Sequence, residues 1–322
     1  MAEPILVADI GGTNARFAVA EMRNGTLTIR DPQKFRAVDF ETVRDAAHAY
    51  CEAIGERPAR ACFAAAGPIV GDEVRFTNSL WTVRRSDIEK PLGLNEFVLI
   101  NDFHAWASGF RFLPDEDFVQ VKEGDSDPDA PILVVGPGTG LGQALVVPVD
   151  KTYHVVSTEG GHVTFAPRTD EEFEVMRFIA KEHPRVSAER LLSGRGLVNI
   201  HRALCAIAGK PRVSLQANEI TAAALDQSLP IASDAVAMFC GLLGRVIGDA
   251  VLSTGARGGV VLCGGILPKI KDLFLESRFN ELFTDKGRMS DYVGAVPVRL
   301  IINESAALYG AAAAMKDVSD EH

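Results

Sequence analysis

With 322 residues, 47% of them hydrophobic and 24% charged, the chain has the composition of a globular protein and the length for roughly two domains. A formal net charge of −10 without any dense Lys/Arg stripe opposes a row of phosphates, so no nucleic-acid partner is expected. The opening Met1-Ala2-Glu3-Pro4 and a short apolar run broken by Asp9 lack the features of a signal peptide. No run reaches the roughly 18 continuous apolar residues of a membrane span, so a cytoplasmic protein without membrane association is expected.

The first element is a β-hairpin: Ile5–Asp9 and Ala15–Ala20 are apolar runs separated by Gly11-Gly12-Thr13-Asn14. An amphipathic stretch from Phe40 to Ile54, a strand near Ala61–Ala66, a Gly/Asn-rich segment to Trp81 and a strand at Phe97–Ile100 follow. Alternating strands and helices indicate an α/β lobe. In mid-chain, Ile132–Gly142 and the run to Val147 repeat the strand, glycine turn and strand of the N-terminus. Ile5, Leu6, Val7 and Gly11 align with Ile132, Leu133, Val134 and Gly138, with Thr13 and Thr139 one residue out of step. This repeat points to a duplicated nucleotide-binding half.

Thr169-Asp170-Glu171-Glu172 is a polar cap with an acidic first turn, which opens a helix. Apolar residues at three- and four-residue spacing predict further helices over Glu189–Ala208, Asn218–Asp226 and Ser233–Leu252. A glycine-edged strand, Gly258–Ile266, precedes another helix, and Ala306–Met315 closes the chain. Gly124–Pro131 reads as an exposed loop. The cysteines, Cys51, Cys62, Cys205, Cys240 and Cys263, are scattered and never form C-x-x-C, which argues against a disulfide framework or a cysteine-rich zinc site.

Three glycine-rich turns, Gly11-Gly12, Gly136–Gly142 and Gly264-Gly265, each follow an apolar strand. One such turn is an ordinary tight turn, whereas three suggest a triphosphate cradle lined by main-chain N–H groups. None has the spacing of the P-loop, and the first lacks the third glycine of the dinucleotide fingerprint. Asp9, at the end of the first strand, suits Mg²⁺ held directly or through water, or else a turn cap. Asn101 and Asp102 follow a strand, at the carboxyl end where open α/β sheets bind ligands. Asp102 is the candidate base, the alternative being the N-cap of a helix starting near Phe103. Glu159-Gly160-Gly161-His162 suits a grip on adjacent hydroxyls around two flexible residues, or is a solvated loop. Glu189 taken alone is an exposed helix acid.

In order along the chain, Asp9–Asn14, Thr77-Asn78-Ser-Leu-Trp81, Asn101-Asp102, Glu159–His162, Glu189–Gly194 and Gly264-Gly265-Ile266 resemble the motif series of the bacterial glucokinases. D-x-G-G-T is shared with many kinases and ATPases of the actin-like superfamily; the ordered set, spread over nearly the whole chain, is more specific. The resemblance implies an α/β, two-lobed actin-like (ribonuclease H-like) ATPase fold with a duplicated nucleotide-binding core and a helix-rich larger lobe. It places a small α/β domain at residues 1–110, completed by a C-terminal helix at 301–322, and a larger α+β domain at 111–300.

The same resemblance implies ATP and Mg²⁺ in a cleft, glucose between the lobes and frequently a homodimer. Asn78, Asn101, Asp102, Glu159, His162 and Glu189 would bind glucose, with Asp102 also the base for phosphorylation of the 6-hydroxyl. Ala8, Asp9, Ile10, Gly11, Gly12, Thr13 and Asn14, with Gly138, Thr139, Gly140 and Gly142, would hold the nucleotide phosphates, with Mg²⁺ at Asp9. Gly264 and Gly265 would lie near the adenosine. The related ROK family of repressors and sugar kinases carries a cysteine-rich zinc motif soon after its E-x-G-H segment. Here the next cysteine is Cys205, and only four residues precede Ile5 to hold a DNA-binding helix-turn-helix. The alternatives are a kinase for fructose, mannose or an N-acetylated amino sugar, and a sugar-responsive binding protein without turnover.

Overall fold

The computed structural model describes residues 3–23, 26–67, 69–75, 81–150, 152–211 and 214–319; Asn78, expected to touch sugar, lies outside them. The chain divides into one unit of Met1–Asp117 with Asn303–His322 and a second of Phe118–Ile302.

The first unit begins with β1 (Ile5–Ile10), β2 (Asn14–Arg23) and β3 (Thr26–Arg36), followed by helix α1 (Val43–Ile54) and β4 (Arg60–Ala65). Short strands β5 (Ile69–Val70), β6 (Glu73–Arg75) and β7 (Thr82–Arg84) form a small antiparallel sheet, the first two within the stretch read from sequence only as Gly/Asn-rich and the third just past Trp81. Helix α2 (Arg85–Ile88), β8 (Glu96–Asn101) and α3 (Asp102–Gly109) follow. The main sheet has the order β3-β2-β1-β4-β8, antiparallel across β3-β2-β1 and parallel across β1-β4-β8.

Successive residues of β1 point to opposite faces, as the period of a strand requires. Leu6, Ala8 and Ile10 pack with Phe17, Tyr50 and Phe63 on the α1 side. Val7 packs on the other face with Cys62, Ala64, Leu308 and Ala311. A parallel strand covered on both faces needs the near-continuous apolar run seen in Ile5–Ala8. Helix α1 starts where the Thr42 side chain accepts the Asp45 N–H and stops at Gly55.

The second unit contains β9 (Phe118–Lys122), β10 (Ile132–Pro137), β11 (Leu141–Val149), β12 (Thr152–Thr158), α4 (Asp170–Ala180), α5 (Gly194–Ile207), α6 (Ala217–Leu225) and α7 (Pro230–Thr254). It continues through β13 (Gly259–Leu262), α8 (Lys271–Leu275), α9 (Phe279–Thr284), α10 (Ser290–Gly294) and β14 (Val298–Ile301). Its sheet order is β12-β11-β10-β13-β14-β9. The first five positions repeat the order and directions of the first sheet, so the fold is duplicated, with β9 added antiparallel at the edge. In the first hairpin the last pair, Ile10 with Ala15, encloses Gly11–Asn14; in the second, Pro137 with Leu141 encloses only Gly138–Gly140. That one-residue deletion is why Thr13 and Thr139 fall out of step.

Helix α4 has the expected cap at Thr169, completed as a capping box by Glu172. The helix expected from Glu189 starts instead at Gly194. Ala188–Arg190 is a 3-10 turn, and Ser193 caps α5 by accepting the Gly196 N–H. By length and composition α7 is apolar enough to cross a membrane, but 67% of its most apolar window is buried inside the unit, where it packs as a core helix. The last helix, α11 (Ala306–Ser319), returns to the first unit and covers β1 and β4. Ile301, expected in that closing segment, ends β14 of the second unit.

Candidate active site

In the first unit the register aligns Ile10 of β1 with Ala65 of β4, and Ala65 with Asn101 of β8. The three parallel strands therefore end at one level, and Gly11, Ala66-Gly67 and Asp102 lie along a single carboxyl edge, where open α/β sheets place ligands. Alternation puts Asp9 on the face that α11 covers. Across the hairpin Arg16 stands opposite Asp9, its Nη1 3.6 Å from Oδ2, while its Nη2 binds Glu304 just ahead of α11. Burial pushes the Asp9 carboxyl above its ordinary range and the Arg16 guanidinium opposes that rise. The turn closes through the Gly11 N–H donating to the Asn14 carbonyl at 2.9 Å, and the Thr13 carbonyl accepts from Ala37 at 2.8 Å. Ala8 and Ile10 bury their side chains in the core and so can offer a ligand only their main chain.

Asn101, not Asp102, is the N-cap of α3. Its Oδ1 accepts from the N–H groups of Phe103 at 2.9 Å and His104 at 3.4 Å, while its Nδ2 donates to the Gly67 carbonyl at 3.1 Å. The cap reading of Asp102 is thereby corrected: Asp102 is the first helical residue, its Oδ1 3.0 Å from the Phe103 N–H. A carboxylate in the first turn of a helix is stabilised in its charged form by the helix dipole. Three anchors thus hold Asn101, which fixes where the next residue projects.

In the second unit β12 runs parallel to β10 through β11, so its carboxyl end lies at the same edge as the Gly136–Gly142 turn. Glu159 and His162 follow β12, with Nε2 and Oε2 3.7 Å apart and side chains 54% and 78% exposed for His162 and Glu159. Of the two glycines between them, Gly161 is more than a flexible spacer. A Cβ on Gly161 would collide with the Leu141 main-chain carbonyl, so that glycine is needed for the turn to lie against β11, whereas one on Gly160 would meet only the movable end of the Gln143 side chain. Glu189 joins the group through its 3-10 turn, its Oε2 accepting from the Leu141 N–H at 3.0 Å. Gly136 faces the Cys263 carbonyl so closely that no Cβ fits, and Gly264 takes φ +89°. Around Gly138 and Gly265, by contrast, no heavy atom lies within 4 Å of where a Cβ would stand, which leaves the backbone open to a ligand; Thr139 is exposed.

A glucokinase family model matches residues 6–318. Glucokinase of Hahella chejuensis is 40% identical over 317 residues, covering 98% of each chain. The crystal structure of a glucokinase from an Antarctic psychrotroph, 37% identical, covers 98% of this chain and 100% of its own with a TM-score of 0.86. The chain belongs to the glucokinase family. As a glucokinase it is an enzyme that phosphorylates glucose at the expense of ATP. A ROK family glucokinase from Streptomyces griseus, solved with glucose and AMPPNP, is 18% identical and has the same fold, with a TM-score of 0.65 over 99% of this chain and 100% of its own. The fold is thus the actin-like one, with its duplicated core.

In each unit, motif reading passed over groups that contact the candidate residues. In the first, Arg16 pairs with Asp9 and with Glu304; in the second, the Leu141 amide meets Glu189. Only Arg16 was recoverable from sequence, because the length of the first turn sets it opposite Asp9.

Proposed function

We propose that Asp102 is the base of the phosphoryl transfer and that Asn101, Asp102, Glu159, His162, Glu189 and Asn78 bind glucose. The sugar's 6-hydroxyl oxygen attacks the γ-phosphorus, the bond to the ADP oxygen breaks, and the hydroxyl proton passes to the Asp102 carboxylate. The observation that carries this reading is the division of labour at α3: Asn101 does the capping, so the carboxylate beside it is not needed for that purpose. Aim and charge stabilisation supply most of the catalysis, since phosphoryl-transfer transition states are loose.

In the same reading the Gly11–Asn14 turn and Gly138, Thr139, Gly140 and Gly142 hold the phosphates, and Gly264 and Gly265 lie beside the adenosine. Asp9 fits Mg²⁺, because one carboxylate supplemented by water and phosphate oxygens is the usual donor set of that hard cation. Bound there, Mg²⁺ would neutralise phosphate charge. The enzyme acts in the cytoplasm as a homodimer, at the first step of glycolytic use of glucose.

A coupled assay with glucose, fructose, mannose and N-acetylglucosamine tests the substrate. Glucose should have the highest kcat/KM, and a competitor of comparable kcat/KM would remove glucose as the specific substrate. Sugar binding without sugar-dependent ADP release would replace the kinase with a binding protein. Sedimentation should give twice the mass of one chain.

A further inference from the structure

Residues Glu189–Gly194 clasp the second glycine turn at both ends. At its exit, the Leu141 N–H donates to Glu189 Oε2 at 3.0 Å; at its entry, the Gly138 carbonyl accepts from the Gly194 N–H at 2.8 Å. The clasp is rigid. Ser193, buried, donates from its hydroxyl to the Glu189 carbonyl at 2.8 Å and accepts the Gly196 N–H at 3.0 Å, while Leu191 and Leu192 are fully buried. The turn is drawn against the carboxylate so closely that a Cβ on Gly140 would stand 2.5 Å from Glu189 Oε2.

We propose that Glu189 is a positioning residue for the nucleotide as well as a sugar ligand: one carboxylate oxygen holds the Gly138–Leu141 turn in shape for phosphate while the other meets a sugar hydroxyl. The inference rests on the reading of that turn as a phosphate loop and of Glu189 as a sugar ligand. An N–H to a carboxylate is a strong, charge-assisted hydrogen bond, and Leu141, largely buried, has no ready access to water in its place. Sugar and nucleotide thereby share one anchored side chain. Whatever shifts the carboxylate on one side is felt on the other, and the coupling is reciprocal.

The test is calorimetric titration of MgADP in the absence of sugar, and then of glucose, on the full chain and two variants. Glu189→Ala removes the acceptor and should weaken MgADP by about tenfold. Glu189→Gln keeps an oxygen for the Leu141 N–H, so its MgADP affinity should stay within about twofold of the parent, while both variants lose about tenfold or more in glucose affinity. Unchanged MgADP affinity in Glu189→Ala, or an equal loss in Glu189→Gln, would overturn the proposal. Should Glu189→Ala not fold, Gly140→Ala serves instead: its added methyl displaces the carboxylate and should raise the KM for glucose, and an unchanged KM would overturn the proposal equally. Parent protein that bound neither MgADP nor glucose would instead strike down the functional reading on which the inference stands.

Discussion

Asp9 and Arg16 face each other across the first hairpin, and the corresponding register pair of the second hairpin is Gly136 with Gly142. Duplication of the backbone was therefore not duplication of the charges. In the second hairpin the Cys263 carbonyl fills the space a side chain at Gly136 would need, whereas in the first the space is occupied by a carboxylate and its counter-ion. One turn carries charge and the other bare amides. The charged turn is the one expected to sit beside a metal-bound phosphate. Asp9→Asn should lower kcat/KM for ATP by about 10²–10³-fold, the scale of losing one electrostatic stabiliser of the transferring group. EDTA should abolish activity until Mg²⁺ is restored, and a zinc-selective chelator should leave the rate unchanged; recovery by zinc would contradict the assignment.

Asp102→Asn separates catalysis from capping. The variant should keep its fold, losing less than about 1 kcal/mol of helix-dipole stabilisation, while kcat falls by about 10²–10⁴. Asn101→Ala should be the more destabilising of the two, costing about 1–2 kcal/mol through loss of the cap. Urea denaturation and steady-state kinetics on both variants are decisive, and near-normal kcat in Asp102→Asn would end its role as base.

Gly310→Ala tests how α3 is held. Helices α3 and α11 touch backbone to backbone: a Cβ on Gly310 would fall 1.7 Å from the Ala105 carbonyl, and one on Gly109 would fall 2.5 Å from the Gly310 nitrogen. A methyl group there wedges the helices apart, at a cost of about 1–3 kcal/mol. Because α3 begins with Asp102, kcat should fall as well. Wild-type stability and kcat together would show that the contact is unimportant.

Arg245 and Glu172 form an ion pair inside the second unit, 2.8 Å long, with side chains only 5% and 7% exposed. Glu172 also accepts the Thr169 N–H at 3.4 Å in the α4 capping box and the Arg168 N–H at 2.7 Å just ahead of it. Arg245→Met strands that carboxylate and should cost about 3–5 kcal/mol in urea denaturation. The double variant with Glu172→Gln should recover part of the loss, and strict additivity would show that the pair is not coupled.

His201 makes stability depend on pH. It is buried in α5, with Nδ1 lacking a partner and Nε2 3.8 Å from Cys205 Sγ, and burial holds its pKa below the ordinary 6.5. The unfolded chain therefore binds a proton that the folded chain refuses. This contribution is complete above pH 6.5 and is lost as pH falls below it. The fall in Tm between pH 7.5 and pH 5.5 should be smaller in His201→Leu than in the parent, and equal falls would contradict the assignment.

Sequence alone determined what short-range physics controls. Apolar runs around the glycine turns marked both hairpins and their duplication, and Thr169 with Glu172 marked the start of α4, because strand period, turn chemistry and caps act over a few residues. Edge strands β3 and β12 were invisible in the same reading. Asp31-Pro32 interrupts β3, and most of β12 is exposed, so their pairing comes from neighbouring strands rather than from a pattern of their own.

Only the tertiary structure decided between Asn101 and Asp102 as the cap, since both are good capping residues and the choice rests on the carbonyl of Gly67, which the fold brings to the Asn101 amide. Tertiary structure also delayed the helix expected from Glu189 until Gly194, leaving a Glu189 carboxylate that meets an amide 48 residues away, and set Glu304 against Arg16 across 288 residues. Spacing carries no trace of such contacts. They exist because two copies of one sheet pattern bring distant loops to their carboxyl edges, and packing then selects which side chains remain available for chemistry.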